Sequence, residues 1–91
     1  MTYLILRTQR RQEQLEGRQH FHDWKDTDYA VVDGMRRVGR IYQDQLPGGE
    51  KWMWFLHVLR AARPNGGSAD TLEEAMHAFK AAYERGAKGR P

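Results

Sequence analysis

The sequence predicts an α+β fold: a three-stranded antiparallel sheet, with a candidate fourth strand at the N-terminus, followed by one C-terminal helix packed on one face. Three observations point there. Residues 29–43 form two β-rich runs about Asp33-Gly34, a strong signal for a tight hairpin. Residues 51–58 form a third such run, set off by Leu46-Pro47-Gly48-Gly49, where a fixed φ precedes two residues free to take positive φ. From Thr71 onward, apolar residues recur at helical spacing behind a capping signature.

Residues 2–7 (Thr-Tyr-Leu-Ile-Leu-Arg) have the composition of a short strand without a clean polar alternation. From Thr8 to Gln19 the one large apolar residue is Leu15, too little for a buried face, so a loop or frayed helix is expected. Phe21 and Trp24 then stand among charges, as in a linker that docks onto something larger. Tyr29 to Val32 and Arg36 to Gln43 are the hairpin strands. Residues 60–68 hold Pro64, Asn65, Gly66 and Gly67 and read as a loop. Thr71-Leu72-Glu73-Glu74 fits a capping box, in which hydroxyl and carboxylate satisfy amides at a helix start. Leu72, Ala75, Met76, Phe79, Ala82 and Tyr83 then share one side of the helix, which ends before Gly86. The organisation expected is residues 1–27 as an N-terminal segment of short strand and mobile linker, 28–86 as a β-β-β-α domain, and 87–91 as a disordered tail.

Composition narrows the function. At 91 residues, 40% hydrophobic and 30% charged, the chain supports one core and buries only about 60–65% of its unfolded surface. With no Cys there are no disulfides, thiolate metal sites or Cys nucleophile, and a cytoplasmic location is expected. The apolar run Tyr3 to Leu6 is far shorter than the roughly 20 residues of a membrane span, so neither insertion nor export is expected. Net charge is +3, from 15 Lys and Arg against 12 Asp and Glu, with no block of either sign.

No enzyme is expected. Acid–base work needs converging carboxylates or an oriented His, whereas Glu73 and Glu74 are better used at the helix start. The only serine, Ser68, lies in the expected loop. Gly48-Gly49 and Gly66-Gly67 lack the Lys of a phosphate loop. His20, His22, His57 and His77 have no recognisable ligand spacing, so neither a metal nor another cofactor is expected.

The useful question is which sheet face is covered. A two-residue turn at Asp33-Gly34 or at Gly34-Met35 sorts the first two strands in the same way, and with a symmetric turn about Pro47 to Gly49 it places Ala30, Val32, Gly39 and Ile41 together with Trp52, Trp54, Leu56 and Val58. The helix is expected on that face, with either the helix or a Trp of the third strand closing over Gly39. The reverse face then carries Tyr29, Val31, Val38, Arg40, Tyr42, Met53, Phe55 and His57, an apolar expanse that soluble domains seldom leave uncovered. Its cover is the leading segment, a second copy or a ligand. The expected function is self-association as a homodimer, or binding of a protein partner, through this aromatic face. The alternative is nucleic-acid binding, with Arg36, Arg37, Arg40, Arg60 and Arg63 meeting phosphates and Tyr29, Tyr42 and Phe55 stacking bases. Against it, Asp28, Asp33, Asp44 and Glu50 share the region.

The runs Val38-Gly39-Arg40-Ile41-Tyr42, Trp52-Met53-Trp54 and Gly67-Ser68-Ala69-Asp70-Thr71-Leu72-Glu73-Glu74-Ala75 together resemble a family of short proteobacterial proteins. The resemblance covers roughly residues 28–83 and implies a hairpin strand, a Trp-x-Trp strand and a helix start. It implies no activity and no catalytic residues, and residues 1–27 lie outside it.

Overall fold

The computed structural model describes residues 4–17, 24–57 and 66–88. The elements run β1 (Leu4–Thr8), α1 (Gln9–Leu15), β2 (Asp28–Asp33), β3 (Arg36–Leu46), β4 (Gly49–Leu56), β5 (Gly66–Ala69) and α2 (Leu72–Lys88). The strands form one antiparallel sheet in chain order. The α+β class with a C-terminal helix stands, but the sheet has five strands rather than three or four. β1 is the candidate N-terminal strand, and the stretch read as loop or frayed helix supplies α1, capped by Thr8 Oγ1 accepting from Arg11 N at 3.2 Å. The helix expected to end before Gly86 runs on to Lys88, so residues 87 and 88 of the expected tail are helical, because a glycine near a helix end permits a stop without forcing one; residues 89–91, like Val58, Arg60, Arg63, His20 and His22, lie outside the described residues.

β5 lies in the stretch expected to be a loop, since its glycines offer no side-chain pattern. They are glycines because aromatic rings from β4 lie across them. Gly67 pairs with Trp54 and Gly66 with Phe55. A Cβ at Gly67 would fall 3.0 Å from the Trp54 indole nitrogen, and one at Gly66 2.8 Å from the Phe55 ring. A ring covering a strand glycine restores the apolar surface that the missing side chain leaves open.

The hairpin turns sit where expected, at Gly34–Met35 and Pro47–Gly48, with Gly34 at φ +64°, a region costly for any residue with a Cβ. At the helix start, Thr71 Oγ1 accepts from Glu74 N at 3.1 Å, and the same hydroxyl donates to Glu74 Oε1 at 3.2 Å.

One expectation is corrected in the first hairpin. Asp33 pairs with Arg36 and Val32 with Arg37, but the register then shifts, so Val31 pairs with Gly39, Ala30 with Arg40 and Tyr29 with Ile41. Val38 is the extra residue, a β-bulge. Because side chains alternate, a one-residue shift exchanges the faces of the rest of β2. Tyr29 and Val31 therefore join Ile41 and Gly39 on the α2 side, while Ala30 and Val32 turn to the reverse side. The β3–β4 register is the symmetric one, with Ile41 opposite Trp54 and Tyr42 opposite Met53.

The core forms where α2 crosses β3, β4 and β5. Val31, Val38, Ile41, Trp54 and Leu56 meet Ala75, Phe79 and Ala82 there. Phe79 lies on Gly39, where a Cβ would be 2.2 Å from its ring and 2.3 Å from the Phe55 carbonyl oxygen. Its ring is edge-on to Trp54 at 6.3 Å and stacked with Tyr83 at 6.5 Å, and the Tyr83 hydroxyl donates to Asp33 Oδ2 at 2.5 Å. Adjacent strands lie about 4.8 Å apart and a helix is about 10 Å wide, so one helix covers roughly half of five strands. α1 packs against β1 and β2, on the reverse side. Each face is thus covered over opposite halves.

Gly39→Ala should destabilise the fold by about 3 kcal/mol, because ring and backbone both resist the added methyl. Gly34→Ala, which meets nothing within 4 Å, should cost only about 1 kcal/mol through its positive φ. Urea denaturation of the two variants checks the difference.

Candidate functional site

The reverse face begins with Asp28, at the start of β2 and buried. Burying a carboxylate is costly without charge-assisted partners. Arg40, two positions along β3 from Asp28's partner Tyr42, supplies them: Nε donates to Asp28 Oδ1 at 2.9 Å and Nη2 forms an ion pair with Oδ2. Gln9 Nε2, from α1, also donates to Oδ1 at 3.2 Å. Gln9 Oε1 in turn accepts from Arg37 Nη1 at 2.6 Å, and Arg37 Nη2 reaches Glu16 Oε1 at 3.2 Å. This network explains why a polar, seven-residue helix is held against the sheet: Gln9, Gln12 and Glu13 are buried through hydrogen bonds.

The Arg40 guanidinium also lies 4.1 Å from the Tyr42 ring centre and 5.7 Å from that of Trp24, a cation–π arrangement. Its hydrogen bonds to Asp28 hold its pKa above the ordinary arginine value, against the effect of burial. Trp24 is anchored by its indole N–H to Glu13, while Arg10 Nη2 donates to its carbonyl at 3.0 Å. Trp24 thus touches α1 and Arg40 of its own chain, and Phe21, expected to dock with it, lies outside the described residues. A cavity of about 390 Å3 lies beside these groups, with Trp24, Asp28, Arg40, Tyr42 and Asp44 in its wall.

Beyond α1 the face carries on as a strip. Arg40 pairs with Phe55 and Tyr42 with Met53. The rings of Tyr42 and Phe55 stack at 6.1 Å and 21°. Phe55 is 36% exposed and Tyr42 and Met53 are half-buried. His57 follows Phe55 by two residues, and its amide donates to the Val38 carbonyl at 2.8 Å. Partial burial, reinforced by the charges of Arg37 and Arg40, lowers its pKa below the usual 6.5.

Of the eight residues expected to share this face, five do: Arg40, Tyr42, Met53, Phe55 and His57. Tyr29, Val31 and Val38 do not. Tyr29 packs toward Trp52 at 6.2 Å, and Val31 and Val38 are buried in the α2 core, because of the register shift. For the alternative set, Arg37 and Arg40 point into the α1 network, Arg36 is exposed, and Arg60 and Arg63 lie outside the described residues. The sequence pattern gives Gln9 no role and does not join Asp28 and Trp24 to the site. The legible hints were a carboxylate at the head of a β-rich run and Gly39 inside a strand, which often marks a bulge. No helix among the described residues is long and apolar enough to cross a membrane. No family model, curated protein or solved structure matches the chain.

Two outcomes follow. Arg40→Leu should destabilise the protein by about 2 kcal/mol, since a buried carboxylate loses its charged donor, measurable by thermal or urea unfolding. His57 binds its proton less readily folded than unfolded, so stability should fall as pH drops below about 6.5. His57→Asn should flatten that part of the stability-versus-pH curve.

Proposed function

We propose that this chain is a non-enzymatic interaction module that binds a protein partner through the strip Arg40, Tyr42, Met53, Phe55 and His57. The carrying observation is that α1 stops short of this strip, leaving a stacked Tyr–Phe pair and a methionine half exposed in adjacent register. Aromatic residues, Met and Arg are the types enriched where proteins meet. The arginine is already held in place by Asp28, so little side-chain entropy is lost when a partner docks on it. The same pairing weakens the nucleic-acid reading, because Arg37 and Arg40 each have a carboxylate partner in the fold and offer less to phosphate. The lack of cysteine fits a cytoplasmic setting. The resemblance to short proteobacterial proteins brings no activity to this reading.

The test is retention of a stoichiometric protein from a cell extract on the immobilised chain, compared with Met53→Glu and Phe55→Glu forms whose folding is checked by circular dichroism. Retention should fall at least about tenfold in both variants. Salt-dependent binding of a labelled single-stranded oligonucleotide at about 50 mM salt, weakened by Arg36→Glu, would replace this reading with the nucleic-acid one.

A further inference from the structure

The other uncovered half lies on the opposite face, where α2 leaves β1 and β2 open. A half-open groove of about 420 Å3 runs there, floored by Leu4, Leu6, Val31 and Ile41 of the sheet and walled by Met76 and Lys80 of α2. Leu4 and Leu6 share this face because they pair with Asp33 and Val31, and both pack on the core without being enclosed by it. We infer that the groove binds a single-chain amphiphile with one anionic head, a medium-chain carboxylate, whose tail lies on the sheet and whose carboxylate meets Lys80.

Size selects a small ligand. The uncovered part of the sheet is two strands wide, about 10 Å at 4.8 Å per strand. The helical wall from Glu73 to Lys80 spans seven residues, about 10.5 Å at 1.5 Å per residue. A footprint of roughly 100 Å2 is far below the about 800 Å2 that each partner gives to a stable protein interface. A volume of about 420 Å3, by contrast, falls within the roughly 300–1,000 Å3 of small-molecule sites. The sheet contributes no polar side chain to the groove, and Met76, 41% exposed, has a flexible side chain that adapts to what lies against it. Such a surface suits a hydrocarbon tail.

Charge selects the head. The ionisable groups of the groove all come from α2: Glu73, His77 and Lys80. Glu73 stands in the first turn of the helix, where its carboxylate complements the dipole, and a cationic head placed there would meet the positive end of that dipole. Lys80 stands in mid-helix, exposed, and makes no ion pair or hydrogen bond with any described residue. The wall therefore presents one open cation, with an aliphatic floor beside it. This surface is on the sheet face opposite the Met53 strip, so the two readings stand or fall separately.

The test is titration of the isotope-labelled full chain with submicellar dodecanoate, followed by amide chemical shifts. The expected result is saturable binding with a dissociation constant below about 1 mM and shifts centred on residues 4–6, 31 and 76–80. Octanoate should bind about tenfold more weakly, since each methylene is half covered. Dodecyltrimethylammonium should bind at least about tenfold more weakly than dodecanoate, and Lys80→Glu should reverse that order. Met76→Glu should weaken dodecanoate binding at least about tenfold, whereas Met53→Glu should leave it unchanged. Both α2 substitutions fall at exposed positions, and circular dichroism checks that each variant is folded. The inference is overturned by absence of saturation below about 1 mM, by shifts centred on Met53 and Phe55, or by equal binding of the two head groups. An affinity indifferent to Lys80→Glu overturns it too, as does a dimer of the free chain that buries the groove and excludes dodecanoate.

Discussion

The register shift between Val31 and Val32 governs the rest of this structure. Without the bulge at Val38, Ala30 would face Gly39, and the α2 side of the first hairpin would carry almost no bulk. With it, Tyr29 and Val31 are delivered to the α2 side, and Gly39 stays small enough for Phe79 to rest on the backbone. The same exchange turns Ala30 and Val32 to the reverse side, in register with Arg40 and Arg37. It thereby sets the spacing at which Asp28, Gln9 and the two arginines meet. One inserted residue thus decides both the apolar core and the polar network behind it.

Coverage follows from size. A five-stranded layer is wider than a single helix, and the chain answers with two unequal helices on opposite faces and opposite halves. α2 is held by burial, with Ala75, Phe79 and Ala82 fully enclosed. α1 is short and polar and is held by hydrogen bonds: Gln9 donates to Asp28, Gln12 accepts from Arg7, and Glu13 accepts from the Trp24 indole. A helix of seven residues has little stability alone, so this network and the sheet beneath it account for its presence. The two halves left uncovered differ in kind. One is a row of aromatic side chains and a methionine on a flat sheet, and the other a groove bounded by a helix flank with charges of both signs.

The arginines show how a mild positive balance can be absorbed within a fold. Arg37 and Arg40 could be read as a phosphate-facing edge, yet both turn toward carboxylates and amides supplied by residues far off in sequence. Their role is to permit burial of Asp28 and to position Tyr42. That same positive charge reaches His57, whose proton affinity falls as a consequence.

The α+β class, both hairpin turns, the Thr71 cap and the helical face of α2 were determined by the sequence itself, because each rests on local geometry: positive φ at Gly34, a hydroxyl three residues from an amide, and apolar spacing of three and four. The partition of β2 between faces was not legible, since Tyr29, Ala30, Val31 and Val32 are apolar in alternation on both sides and local pattern cannot choose between them. β5 carries no local strand signal because Gly66 and Gly67 gain their surface from the rings of Phe55 and Trp54 on another strand. The Asp28 network and the groove beside α2 were likewise decided only by tertiary structure, through contacts between residues up to some tens of positions apart. Local propensities specify elements, but register and packing select which of two chemically similar faces is buried.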